Sequence, residues 1–226
     1  TTLFRSLIMV DLTEAFYRVL RPLAVGGQYS DEQIAQIVHK LGMTSDTLHE
    51  LHEHLRQPSA VDQACLPHHL KQVLRALHTD TYFQIQGQED CCHTSVGSRP
   101  GDCFADVVFS YLFSRVLKSF QRKLDEVGLQ QRVAATPAFD PFGTQDSPAG
   151  QVPYLGPVWM DDVCICLMAP TPDGLLRRAG TATSLLLDTM KGYGLTPNLK
   201  KGKTELLLSL RGRGVRKCQE DRKSVV

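Results

Sequence analysis

Two apolar arms surround a pair of aspartates in the second half of the chain. Residues 154–168 (YLGPVWMDDVCICLM) carry apolar side chains on both sides of a central Met-Asp-Asp. Short apolar arms around a polar centre predict a β-hairpin, here with Asp161 and Asp162 at its tip. A second apolar run, residues 3–10 (LFRSLIMV), is too short for a helix and predicts a buried strand that ends at Asp11.

Helical periodicity marks most of the segments between these strands. Ser30 begins an S-x-x-Q capping box, and apolar residues at helical spacing follow it as far as Gly42. Four further segments show the same periodicity: from Thr44 or Ser45 to Pro58, from Pro67 onwards, over about 104–120, and from about Asp173 to Lys191. Strands are predicted at 81–86 and 204–210, whereas 134–153 is rich in Pro and Gly and predicts a loop or insertion.

The order of these elements predicts an α+β fold. If the segment 20–96 is set aside as an insertion, the order is strand, helix, hairpin, helix, strand. This β-α-β-β-α-β order is the ferredoxin-like arrangement, with one antiparallel sheet and both helices on one face. It places the first strand beside the hairpin, so that Asp11, Asp161 and Asp162 meet at one edge of the sheet.

Three converging carboxylates would have a specific chemical use. A single Asp after a strand is usually a turn former or a helix cap, and each of these acids alone is open to that interpretation. Carboxylates that lie together repel one another unless a cation neutralises them. Hard oxygen donors favour Mg²⁺ or Mn²⁺, and two such ions about 3.5–4 Å apart support phosphoryl transfer.

Charge and composition narrow the class of protein. Residues 191–226 hold ten Lys and Arg against three Asp and Glu, a net charge of +7, which leaves −6 on the first 190 residues. This basic end predicts a polyanionic partner, although a solvated tail would show the same charge. No run of about 18 apolar residues is present, so no transmembrane helix is predicted. The seven scattered Cys indicate reduced intracellular thiols. The chain starts without Met inside an apolar run, and we expect it to be a fragment.

Four short motifs resemble those of reverse transcriptases, in the same order along the chain. Residues 11–16 (DLTEAF) resemble the D-L-x-x-A-F of motif A, and residues 97–102 (GSRPGD) resemble the G-x-x-Q-G-D of motif B. Residues 159–162 (WMDD) stand where the Y-x-D-D box of motif C belongs. Residues 194–198 (GLTPN) and 203–205 (KTE) resemble motif D of non-LTR retroelements. The resemblance spans roughly residues 3–210 and implies an RNA-directed DNA polymerase.

The resemblance implies a role for each matching residue. Asp11 and Asp161 would hold two Mg²⁺ or Mn²⁺ ions, with Asp162 assisting. Lys203, or Lys201, would donate a proton to the leaving pyrophosphate. Phe16 would crowd the 2′ position of the incoming nucleotide and exclude ribonucleotides, although a Phe at this position is also typical of a core residue.

Other matching residues would contact the substrates, namely the RNA template, the DNA primer and the dNTPs. Those implied at the nucleotide and the template are Gly97, Arg99, Gly101 and Asp102. The basic charge of the C-terminal end, rather than a motif, predicts that Lys200, Lys201, Arg211 and Arg213 bind the nucleic-acid backbone. The interpretation includes no membrane partner.

The resemblance also suggests a division of the chain and leaves alternatives open. The divisions are a motif A strand (1–19), a helical fingers-type insertion (20–96), a palm segment with motifs B to D (97–210) and a basic tail (211–226). Pro100 stands where motif B has Gln, and Trp159 where motif C has Tyr. These departures favour the main alternative, a catalytically silent palm remnant that at most binds nucleic acid. A viral RNA polymerase or a nucleotide cyclase is a third interpretation.

Overall fold

The computed structural model describes residues 4–87, 89–98, 104–135 and 150–209. Within these ranges there are eight strands: β1 (Phe4–Val10), β2 (Thr81–Gln84), β3 (Cys91–Thr94), β4 (Gln131–Ala135), β5 (Gly150–Tyr154), β6 (Val158–Trp159), β7 (Asp162–Ala169) and β8 (Glu205–Ser209). The α-helices of the same ranges are α1 (Arg21–Ala24), α2 (Asp31–Leu41), α3 (Ser45–Arg56), α4 (Ala60–Gln63), α5 (His68–His78), α6 (Ala105–Glu126) and α7 (Pro172–Gly192). The chain is therefore an α+β protein, as its sequence predicts.

The main sheet has four antiparallel-paired strands in the order β6-β7-β1-β8. Strand β1 lies in the middle of it, with Phe4 opposite Ala169 and Val10 opposite Val163 on β7. On its other side β1 pairs with β8, with Leu7 opposite Leu207. The prediction that the first strand lies beside the hairpin is confirmed.

The two faces of the main sheet differ. Ile8 and Val10 of β1 and Ile165 of β7 are buried, because α7 packs on both strands and α6 packs against α7. The alternate residues, such as Leu7 and Met9, remain 37% and 46% exposed. Since side chains alternate along a strand, one face of the sheet forms the core and the other is open.

Helices of the segment 20–96 begin where the sequence predicts. The Ser30 side chain accepts from the Gln33 backbone, and the Gln33 side chain accepts from the Ser30 backbone, which completes the capping box of α2. Thr44 caps α3 and Pro67 precedes α5. Buried side chains of this segment, such as Leu51, belong to the same hydrophobic core as the inward residues of the main sheet.

The strand predictions need two corrections. The strand expected over 81–86 ends at Gln84, and it pairs with β3, which the sequence pattern does not indicate. The segment 134–153 is expected to be a loop or insertion, but both of its ends belong to strands. Its first residues are in β4 and its last are in β5, and the two strands pair with Gln131 opposite Tyr154 and Ala135 opposite Gly150. Its centre, 136–149, lies outside the described residues. The pairing of β4 with β5 satisfies the backbone hydrogen-bonding groups of both strands, and the Pro- and Gly-rich composition of the segment gives no sign of this pairing.

None of the helices in the described ranges is both long and apolar enough to span a membrane.

Candidate active site

Strand register brings two of the predicted acids together. Val10 and Val163 are the last residues at which β1 and β7 pair, so Asp11, which follows β1, is adjacent to Asp162, the first residue of β7. A cavity of about 560 Å³ opens at this edge, and both acids line it. Its other lining residues are Met9, Val10, Pro157, Val158, Trp159, Val163, Cys164, Gly202 and Lys203.

Asp161 lies in the tight turn of the β6–β7 hairpin. Trp159 pairs with Asp162, which leaves Met160 and Asp161 as a two-residue turn. Met160 has φ +54°, and a positive φ at the first turn position gives the twist that joins antiparallel strands closely. Asp161 is partly buried, whereas Asp162 is exposed.

Residues of the predicted motif D hold Asp11 in place. Asn198 Nδ2 donates a 2.8 Å hydrogen bond to Asp11 Oδ2, and Lys203 Nζ lies 3.7 Å from Asp11 Oδ1. The hydroxyl of Thr204 lies 3.2 Å from the Asp11 carbonyl oxygen, to which it donates. The end of β1 is therefore joined to the segment that leads into β8 by both backbone and side-chain contacts.

The charges of these groups act on one another. Burial raises the pKa of Asp161 above its usual value, and the negative charges of Asp162 and Asp11 raise it further. The positive charge of Lys203 partly offsets these effects. The charges of Asp11, Asp162 and Lys203 therefore all act on the Asp161 carboxyl group.

Carboxylate oxygens are suitable donors for Mg²⁺ or Mn²⁺, and Asp11, Asp161 and Asp162 supply them at one sheet edge. In the ranges that the structure describes, however, no group of three or more His, Cys, Asp or Glu side chains is arranged to hold a metal ion. Asp11 is instead neutralised by Lys203 and hydrogen-bonded by Asn198. The chemistry of these oxygen donors suits such ions, and the residues that would hold them are Asp11, Asp161 and Asp162.

The start of the predicted motif B packs on the end of motif A. Ser98 N donates to the carbonyl oxygen of Phe16 at 2.7 Å, and Gly97 N donates to that of Val19 at 2.8 Å. Gly97 has φ +85°, and a Cβ there would lie 2.9 Å from the Tyr17 carbonyl oxygen. Glycine is thus required both by conformation and by space. These contacts bring Gly97 beside the segment that follows Asp11.

Phe16 lies at the margin of the hydrophobic core. It is partly buried, and its ring centroid lies 4.8 Å from that of Phe109 on α6. The ring therefore has the packing contact expected of a core residue. Tyr17, next to it, is 63% exposed.

Arg21 is a structurally important residue that the sequence motifs do not indicate. It is 8% exposed and follows the motif A segment. Its guanidinium donates to the carbonyl oxygens of Gly97 at 2.9 Å, His78 at 3.0 Å and Thr94 at 2.6 Å. These bonds tie three segments of the chain to the first turn of α1. An Arg inside the apolar run VLRPLAV was the available signal, since a buried Arg needs several acceptors.

The structure describes only some of the remaining predicted residues. Lys200 and Lys201 are exposed in the turn before β8. Six residues named in the predictions lie outside the described ranges: Arg99, Pro100, Gly101, Asp102, Arg211 and Arg213.

Comparisons of the chain with protein-family models, with curated proteins and with solved structures give no match. The function is therefore inferred from the motifs and from the geometry of the site.

Proposed function

We propose that the chain carries the palm of a template-directed nucleotidyltransferase, which synthesises DNA on an RNA template. The observation that carries this proposal is the meeting of Asp11 and Asp162 at one sheet edge, in a cavity that Lys203 also lines. Asp11 and Asp162 are separated by 151 positions in the sequence, and each belongs to a different polymerase-like motif. Chance similarity of two short motifs would not require their acids to leave neighbouring strands side by side.

The strand order supports a polymerase palm. With β6 and β7 as the hairpin, the order β8-β1-β7-β6 is the one expected of a ferredoxin-like β-α-β-β-α-β chain. In this proposal α6 and α7 are the two palm helices, and the helices of residues 20–96 form a fingers-type insertion. The open face of the sheet then faces the nucleic acid.

The proposed residue roles follow from position and charge. Asp11 and Asp161 would hold Mg²⁺, with Asp162 assisting, and the ions would supply charge neutralisation for phosphoryl transfer. The Lys203 ammonium group lies close enough to Asp11 to form an ion pair with the carboxylate. The same ammonium group is an acid that could protonate the leaving pyrophosphate. Phe16 would form the wall that excludes a ribose 2′-hydroxyl. Lys200 and Lys201 would bind backbone phosphates.

A silent palm remnant that binds nucleic acid is the second candidate. The observation that favours it is the pairing of Asp11 with Lys203 and Asn198, which satisfies that carboxylate without a metal ion. Pro100 and Trp159 depart from the family motifs and favour it as well.

Primer extension separates the two candidates. The purified protein is given an RNA template, a DNA primer, dNTPs and Mg²⁺, and it is compared with its Asp11→Asn variant. If the parent extends the primer and the variant does so several orders of magnitude more slowly, the result supports the polymerase candidate. The reason is that phosphoryl transfer depends on the positioned charge of Asp11. Template binding without extension in either protein would support the remnant.

A further inference from the structure

Sulfur-containing side chains cluster on the open face of the main sheet. Cys164 and Cys166 are two residues apart on β7, and the buried residues Val163 and Ile165 alternate with them, so both thiols are on the open face. Met9 of β1 pairs directly with Cys164. Three soft sulfur donors therefore share one small region of the sheet.

The backbone around these thiols is held on both sides. On one side β7 pairs with β1 along its length. On the other, the N–H groups of Cys164 and Cys166 donate to the carbonyl oxygens of Pro157 and Leu155, each at 3.0 Å. Between these two acceptors, Gly156 passes so close that a Cβ would lie 1.7 Å from the Cys164 carbonyl oxygen. The relative positions of the two cysteines are thus set by the sheet.

A disulfide is not the best use of this pair. Residues two apart on a strand have Cα atoms about 6.6 Å from each other, near the upper limit for a disulfide, and their Cβ atoms project in parallel. An ion that bridges two sulfurs spans a wider gap. Thiolate and thioether ligands select soft cations such as Cu(I) over Mg²⁺ or Ca²⁺.

We propose that Cys164 and Cys166, with Met9 as a thioether ligand, bind a soft monovalent cation of the Cu(I) type on the open face of the main sheet. Two S–H bonds break, and two thiolate–metal bonds and one thioether–metal bond form. Both protons pass to solvent, and no electron is transferred. The bound group carries one net negative charge.

The surroundings match this chemistry. Cys164 and Met9 line the same cavity as Lys203, whose positive charge suits an anionic metal–thiolate group. An occupied site would narrow the cavity beside Asp11. Only the effect of this narrowing on the activity of the site rests on the proposed function.

The test is a competition for Cu(I) between the reduced protein and a chromophoric Cu(I) chelator. It contains no nucleic acid and no nucleotide, so its result is independent of polymerase activity. The parent should take Cu(I) from the chelator, and the Cys164→Ser/Cys166→Ser variant should take one equivalent less than the parent does. The matched control is Cys91→Ser/Cys92→Ser, which should lose nothing, because adjacent residues of β3 point to opposite faces.

Two further measurements guard against a variant that does not fold. In the unaltered protein, Ag(I) should protect Cys164 and Cys166, and not Cys91 or Cys92, from alkylation by N-ethylmaleimide, read by peptide mass spectrometry. A variant that keeps only the proposed pair should still bind one equivalent; it replaces Cys65, Cys91, Cys92, Cys103 and Cys218 with Ser. Unchanged Cu(I) uptake in Cys164→Ser/Cys166→Ser, or equal alkylation of all four cysteines with Ag(I) present, would overturn the proposal.

Discussion

Asn198 hydrogen-bonds Asp11 twice, although 187 positions separate them in the sequence. Its Nδ2 donates to Asp11 Oδ2 at 2.8 Å, and its backbone N–H donates to the Asp11 carbonyl oxygen, also at 2.8 Å. The side chain of Asp11 therefore has a preferred orientation before any ligand binds. Preorganised acids of this kind are typical of catalytic sites, where the supporting residue matters almost as much as the acid.

Asn198→Ala tests this support. The variant keeps the backbone hydrogen bond and loses the one to the carboxylate, so unfolding free energy should fall by about 1–2 kcal/mol. Primer extension should fall by about 10–100-fold, as for other residues that orient a metal ligand. Leu199→Ala is the control, since Leu199 is 70% exposed and should affect neither quantity. Full activity in Asn198→Ala would show that the orientation of Asp11 is unimportant.

Asp161→Asn should stabilise the fold while it abolishes extension. Because the pKa of Asp161 is raised in the folded chain, its ionisation opposes folding. The folded state binds more protons than the unfolded state between the usual pKa of 3.8 and the raised one, so stability falls as pH rises through that window. The variant should therefore melt at or above the parent temperature at pH 7, and this advantage should shrink as pH falls toward 3.8.

Thermal melts of Asp161→Asn at several pH values measure this effect, with Asp188→Asn as a control on the exposed face of α7. A lower melting temperature for Asp161→Asn at pH 7 would mean that the carboxylate has a favourable partner in the folded chain. Loss of extension together with raised stability would separate a chemical role from a folding defect.

Phe16→Ala separates a steric wall from a core side chain. If Phe16 excludes the 2′-hydroxyl, the variant should incorporate NTPs while it retains dNTP incorporation. Loss of the packing on Phe109 should also lower stability by about 2 kcal/mol, less than for a fully buried Phe. Extension with dNTPs and with NTPs measures the first effect, and urea unfolding the second. Tyr17→Ala, at an exposed neighbour, should change neither. Destabilisation without ribonucleotide incorporation would assign Phe16 to the core alone.

Gly97→Ala tests the contact between the first two motifs. Gly97 and Gly87 have nearly equal positive φ angles of +85° and +88°, but only at Gly97 would a Cβ meet another segment, the Tyr17 backbone. Gly87→Ala should cost about 1–2 kcal/mol, the cost of the left-handed conformation. Gly97→Ala adds overlap with the backbone and should cost about 3 kcal/mol or more. Urea denaturation of both variants measures the loss of unfolding free energy. Equal losses in the two variants would show that the Tyr17 backbone moves away from the added Cβ with no measurable loss of stability.

Local patterns were sufficient for the elements that local physics stabilises. The apolar run before Asp11 predicted β1, and the capping box at Ser30 predicted the start of α2, because each of these signals lies within a few neighbouring residues. The same patterns predicted the β6–β7 hairpin, although its first paired arm is only the two residues of β6. The order of the elements was enough to predict that β1 lies beside the hairpin.

Only the tertiary structure decided which distant groups meet. The pairing of β4 with β5, the enclosure of Arg21 by the carbonyl groups of residues 78–97 and the Asn198–Asp11 hydrogen bond all join segments far apart in the chain. A period of two along β7 shows that Cys164 and Cys166 share a face, but it does not show whether helices cover that face. Propensity acts over a few residues, whereas pairing and burial depend on which surfaces the whole chain brings together.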